Sequence, residues 1–136
     1  MTPSMKSVVF DSHAILKFAQ DEAGADRVEE LLKASEDGRI RAFISEINLG
    51  EVYYITIRKL GVESARRFLE QFTTLAIDRV SPSWEIIESA SQIKADFAVS
   101  YADCFATATA LKYHAVIVTG DPEFKKLEHL VQVDWI

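Results

Sequence analysis

Apolar residues recur along this chain in two rhythms, and the alternation between them is its main structural signal. Uninterrupted β-branched runs, "SVVF" at 7–10 and "AVIVT" at 115–119, read as strands buried on both faces. "RIRAFI" at 39–44, "LAIDRV" at 75–80 and "LVQVDW" at 130–135 read as three more. Between them the apolar positions fall three and four apart. Such spacing predicts a helix from about Ser12, and another over 25–35 with Val28, Leu31 and Leu32 inward. A long helix follows from a Ser45 cap to Leu60, and then one over 62–75 with Phe68, Leu69 and Phe72 inward. Pro82 starts a helix that runs to Asp96, and Ser100–Tyr113 forms an Ala-rich one. Gly38 and Gly61 act as stops. Short strands alternating with helices imply a three-layer α/β/α sandwich with a mainly parallel central sheet of about five strands. No linker divides the chain, which predicts one domain over 1–136 with a loose tail at 1–4 and Met5 as an internal start.

Composition narrows the class. A chain of 136 residues that is 49% hydrophobic can bury a real core. The net charge of -6 and the pI near 5.0 argue against a basic surface that coats nucleic acid. Cys104 is the only cysteine, so no intramolecular disulfide forms and a cytoplasmic setting is expected. No apolar run is long enough to cross a membrane.

The acids change the picture. Asp11 and Asp121 each follow an apolar strand, at the edge where open parallel sheets bind ligands. Each is also a good helix N-cap, and Asp121-Pro122 is a strong helix start. Asp103 lies in the first turn of the Ala-rich helix, where Ser100 and Asp103 match a capping box and the helix dipole favours an anion. Glu51 lies mid-helix, four residues from both Ile47 and Ile55, which sets it on or beside the core-facing stripe. A carboxylate there needs a salt bridge, a hydrogen bond or a cation. Glu46 is a weaker candidate, explained by a solvent-facing position, and close packing would explain Gly50. Asp11, Glu51, Asp103 and Asp121 are all hard oxygen donors, and no Cys/His pair has zinc spacing. An all-carboxylate set suits Mg²⁺ or Mn²⁺, ions that activate water and clamp phosphodiester oxygens.

"VVFDSHAIL", "ISEINLGEVYY", "SYADCFATATAL" and "VIVTGDPEF" together resemble the PIN-domain ribonucleases, and within them the VapC-type toxins of toxin–antitoxin pairs. The resemblance covers nearly the whole chain and rests on the order and spacing of the four motifs. It implies a PIN-like fold and a metal-dependent endoribonuclease with Asp11, Glu51, Asp103 and Asp121 as ligands of Mg²⁺ or Mn²⁺. It also implies that Thr119 orients a ligand or water, that Phe124 packs behind the site, that the substrate is RNA, and that the chain pairs with itself and with an inhibitory antitoxin. His13 stands where the family has a small polar residue; an exposed helix position accounts for it, and substrate contact is the alternative. Basic pairs such as Arg58-Lys59 and Arg66-Arg67 read as a solvated face, so RNA rests on the resemblance rather than on charge. Two other readings remain. One is a non-catalytic PIN-like module that binds RNA or protein. The other is a phosphatase of the haloacid dehalogenase type, which expects a second Asp where His13 stands.

Overall fold

The central strand β1 (Lys6–Phe10) carries Val8, Val9 and Phe10 with no exposed surface, as expected of a strand with neighbours on both edges and helices on both faces. The computed structural model describes residues 5–136, so the tail expected at 1–4 lies outside the described residues. After β1 come α1 (Ser12–Ala19), α2 (Ala25–Glu36), β2 (Ile40–Ser45), α3 (Glu46–Leu60) and α4 (Val62–Phe72). Then follow β3 (Asp78–Val80), α5 (Trp84–Asp96), α6 (Tyr101–Tyr113), β4 (Val116–Thr119), a 3₁₀ turn over Pro122–Leu127 and β5 (Val133–Trp135). The five strands form one sheet in the order β3-β2-β1-β4-β5, with every pairing parallel.

Side chains alternate across the sheet and build two cores. Val9, Phe43 and Ile117 point to one face, where they meet α5, α6 and the 3₁₀ turn through residues such as Ile86, Ala106 and Phe124. Val8, Phe10, Ile44 and Val118 point to the other, under α1, α2, α3 and α4. The expected α/β/α sandwich is the observed architecture, with the sheet parallel throughout. Phe124 is fully buried. In α6 every residue from Asp103 to Ala110 is buried, because small side chains let the helix sit close to the sheet, α5 and α3.

Several local expectations need correction. The third strand spans only Asp78–Val80, since Leu75 and Ile77 close a turn after α4, which itself stops at Phe72. Ser83, not Pro82, starts α5: its hydroxyl accepts the Ile86 N–H at 3.4 Å, and Pro82 lies one position before this cap. In α3 the buried face is Asn48, Leu49 and Val52; of the two isoleucines flanking Glu51, Ile47 is exposed and Ile55 half-buried, so Glu51 lies beside the inward face and not on it. Gly50 is also exposed, and a Cβ there would meet nothing within 4 Å, so close packing does not explain it.

Candidate active site

β1 leads into α1 on one face of the sheet, and its neighbour β4 leads into the 3₁₀ turn on the other. The chain thus opens a crevice beyond the carboxyl ends of these two strands, the switch point at which open α/β sheets bind ligands. Phe10 registers with Val118, which brings Asp11 beside Thr119. Asp11 is 1% exposed. Its Oδ1 accepts the Ala14 N–H at 2.8 Å as the N-cap of α1, and its Oδ2 accepts the Thr119 hydroxyl at 2.5 Å. Thr119 Oγ1 in turn accepts the Asp121 N–H at 3.0 Å. Asp121 caps the 3₁₀ turn, with Oδ1 accepting from Glu123 N–H at 3.0 Å. Capping and membership of the carboxylate group are therefore compatible: each carboxylate has about four acceptor positions and these bonds use few of them.

Asp103 enters from α6 and is nearly buried. Ser100 Oγ accepts the Asp103 N–H at 3.1 Å, but the reciprocal bond of a capping box is not formed. Burial pushes Asp103 up to about 6, with the charges of Asp121, Glu51 and Glu123 adding to the rise and the Ser100 hydroxyl opposing it. Asp11 is pushed up to about 7, first by burial and then by the charges of Asp103 and Asp121, against the Thr119 and Ala14 hydrogen bonds. Glu51, half-buried on α3, accepts a hydrogen bond from the Ser12 hydroxyl. The salt bridge weighed for Glu51 is not formed. Among the described residues none of the four acids is paired with a Lys, Arg or His.

Like charges gathered without a base are costly, and a divalent cation is the partner that suits hard oxygen donors. Among the described residues no three His, Cys, Asp or Glu side chains converge closely enough to hold an ion alone. The fit to Mg²⁺ or Mn²⁺ rests instead on the chemistry of the donors, which are hard carboxylate oxygens of the kind that hold Mg²⁺ through one or two carboxylates with water in the remaining positions.

The other candidates sort clearly. Glu46 does not simply face solvent: it accepts from Arg79 at 2.8 Å and Ser81 at 2.6 Å, and these bonds lower its pKa. It ties α3 to the β3 edge. His13 is half-buried rather than exposed. Its ring packs on Gly120, where a Cβ would stand 3.0 Å from His13 Cε1, and its Nδ1 is buried without a partner. Burial and the nearby Lys17 charge lower its pKa. Three residues at the site escaped sequence reasoning. Ser12, which orients Glu51, was visible only as the hydroxyl after Asp11. Glu123, whose charge bears on Asp103, looked like an ordinary first-turn acid. Asn48, fully buried on α3, had no signal at all.

Comparison with known proteins gives a consistent picture. The family model described as PIN domain matches residues 8–130. No curated protein matches the sequence at a significant level. Among solved structures, VapBC2 from Rickettsia felis, bound to a DNA fragment from its promoter, aligns with a TM-score of 0.76 at 13% identity, covering 96% of this chain and 98% of that one. DNA-bound VapBC from Salmonella typhimurium aligns with a TM-score of 0.74 at 20% identity, covering 96% and 98%. VapC20 from Mycobacterium tuberculosis, described as a sarcin-ricin loop cleaving toxin, aligns with a TM-score of 0.68 at 13% identity, covering 88% and 94%. At these identities the likeness establishes the fold.

Proposed function

The chain belongs to the PIN-domain family, and from that premise we propose that it is a metal-dependent endoribonuclease, the toxin of a toxin–antitoxin pair. The observation that carries this reading is the group of four carboxylates at the β1/β4 crevice, with two of them held near neutral pKa and none neutralised by a base. Asp11, Glu51, Asp103 and Asp121 would hold Mg²⁺ or Mn²⁺, directly or through water. Bound there, such an ion supplies charge neutralisation for a phosphodiester and a lowered pKa for water. The chain's own residues do the rest. Thr119 fixes one oxygen of Asp11 and takes its own orientation from the Asp121 N–H. Ser12 aims Glu51, and Asp103 stands in the first turn of α6, whose positive end favours the anion.

RNA as substrate, self-pairing and an inhibitory antitoxin come to this chain from the family resemblance and from the toxins and complexes that share its fold. The same reading takes residues 1–136 as one domain acting in the cytoplasm. Among the described residues no helix is long and apolar enough to cross a membrane. A second reading is a PIN-like module that binds RNA or protein without cutting it. The lack of three ligand side chains closed on one point favours that alternative. Cleavage separates the two. The purified protein, free of antitoxin, should cut structured RNA in Mg²⁺ or Mn²⁺, stop in EDTA and fail as Asp103→Asn. Cleavage that persists in EDTA and in that variant overturns the metal-dependent reading; no cleavage with intact Mn²⁺ binding supports the non-catalytic one.

A further inference from the structure

Asn48 is fully buried, yet only one end of its amide is hydrogen-bonded. Its Nδ2 donates to the Ala102 carbonyl at 3.2 Å, while its Oδ1 is buried with no partner. Among the described residues the wholly buried hydroxyls, by contrast, are accounted for: Thr107 and Thr109 bond back to Asp103 and Phe105, and Thr119 bonds to Asp11. An apolar side chain at position 48 would join Leu49 and Val52 on the buried face with no unmade bond. An amide kept at such a place needs a reason beyond packing.

Its position supplies one. Asn48 lies one turn before Glu51 on α3, and Ala102 immediately precedes Asp103 in the first turn of α6. Among the described residues this is the one side-chain hydrogen bond between α3 and that turn. We propose that Asn48 is a positioning residue: its hydrogen bond to the Ala102 carbonyl holds the α6 turn against α3 and so sets the separation of Glu51 and Asp103 for cation binding. The proposal rests on the reading of the four acids as a divalent-cation site.

The test is calorimetric titration of the folded protein with Mn²⁺, beside a measurement of its unfolding in EDTA. Loss of an outer support of a metal site typically weakens affinity by about 10–100-fold. Asn48→Ala should fall in that range, and Asn48→Leu, which keeps the core filled, takes its place if the alanine variant does not fold. Val52→Ala is the control, because it opens the same buried face of α3 without touching α6 through a hydrogen bond. The proposal stands if the Asn48 variant loses at least about fivefold more affinity than Val52→Ala, a margin set below the range usual for such supports. A smaller difference overturns it and leaves Asn48 a packing residue. If the native protein itself binds no Mn²⁺, the cation-site reading fails and this proposal fails with it; the two failures are told apart by the native titration.

Discussion

Asp103 illustrates how one side chain carries both a cost and a use. Its folded pKa lies near 6, against an ordinary value of 3.8, so the folded chain holds this proton more tightly than the unfolded chain does. Asp11, near 7, behaves alike. Between about pH 4 and pH 7 the native state therefore binds more protons, and its stability falls as pH rises through that window. In EDTA the protein should be more stable at pH 5 than at pH 8. Asp103→Asn removes one of the repelling charges and should stabilise the metal-free protein by about 1 kcal/mol at pH 8, after allowance for relaxation around the site. That gain should vanish near pH 4, where the native acid is itself protonated. Urea unfolding across pH in EDTA checks both statements. A loss of stability on Asp103→Asn at pH 8 would mean that the carboxylate makes a stabilising contact.

At the scale of elements, two glycines make opposite forecasts. Gly50 lies within α3 with open space around it, so Gly50→Ala should stabilise by about 0.5–1 kcal/mol through helix propensity alone. Gly120 follows β4 directly. A Cβ there would stand 2.8 Å from the Ile136 carbonyl oxygen, 3.0 Å from His13 Cε1 and 3.1 Å from Lys17 Cε. The lysine can swing away, but the carbonyl is backbone, held by the Ile136 N–H donating to Thr119 O at 3.0 Å. Gly120→Ala should cost about 1–3 kcal/mol as overpacking and should weaken the site by moving Thr119 or His13. Thermal unfolding of the pair tests both signs at once. Equal shifts for the two variants would show that the β4 exit yields more than this close approach suggests. The exit of β4 thus has a mechanical duty: it places Thr119 and Asp121 while leaving room for α1.

For the molecule as a whole, the acids couple stability to cation concentration. A ligand that binds only the folded state stabilises it by mass action, about 2.7 kcal/mol at a hundred times its Kd. Mn²⁺ should raise the melting temperature of the native chain progressively with concentration, most strongly above pH 7 where Asp11 and Asp103 are ionised. Asp11→Asn and Asp103→Asn should respond much less. A uniform response in all three proteins would point to ions gathering on the surface of a chain whose net charge is -6, instead of binding in the crevice.

Much of this architecture was legible in the chain itself. The apolar triplets Val8–Phe10 and Val116–Val118 at the heart of β1 and β4 offer no polar side chain to either face, which marks them as central strands. Helical spacing between strands then left little choice but a parallel sheet covered on both sides. Asp11 and Asp121 were identifiable because strand ends are visible in sequence. Asp103 was identifiable because Ser100 announces the helix start. Glu51 is marked by its place four residues from Ile47 and Ile55; Ile47 turns outward while Ile55 and Glu51 are half-buried beside Val52, and the partner the fold supplies is the Ser12 hydroxyl. Only the tertiary structure decided which face of α3 turns inward, because a helix with apolar residues on more than one side can be rotated by its partners. It alone set the order of the strands, and with it the crevice between β1 and β4. It also paired Glu46 with Arg79, 33 residues away, and Asn48 with Ala102, 54 residues away. Such contacts leave no local trace: periodicity and capping report on a few neighbouring residues, whereas burial and electrostatics depend on what the rest of the chain brings near.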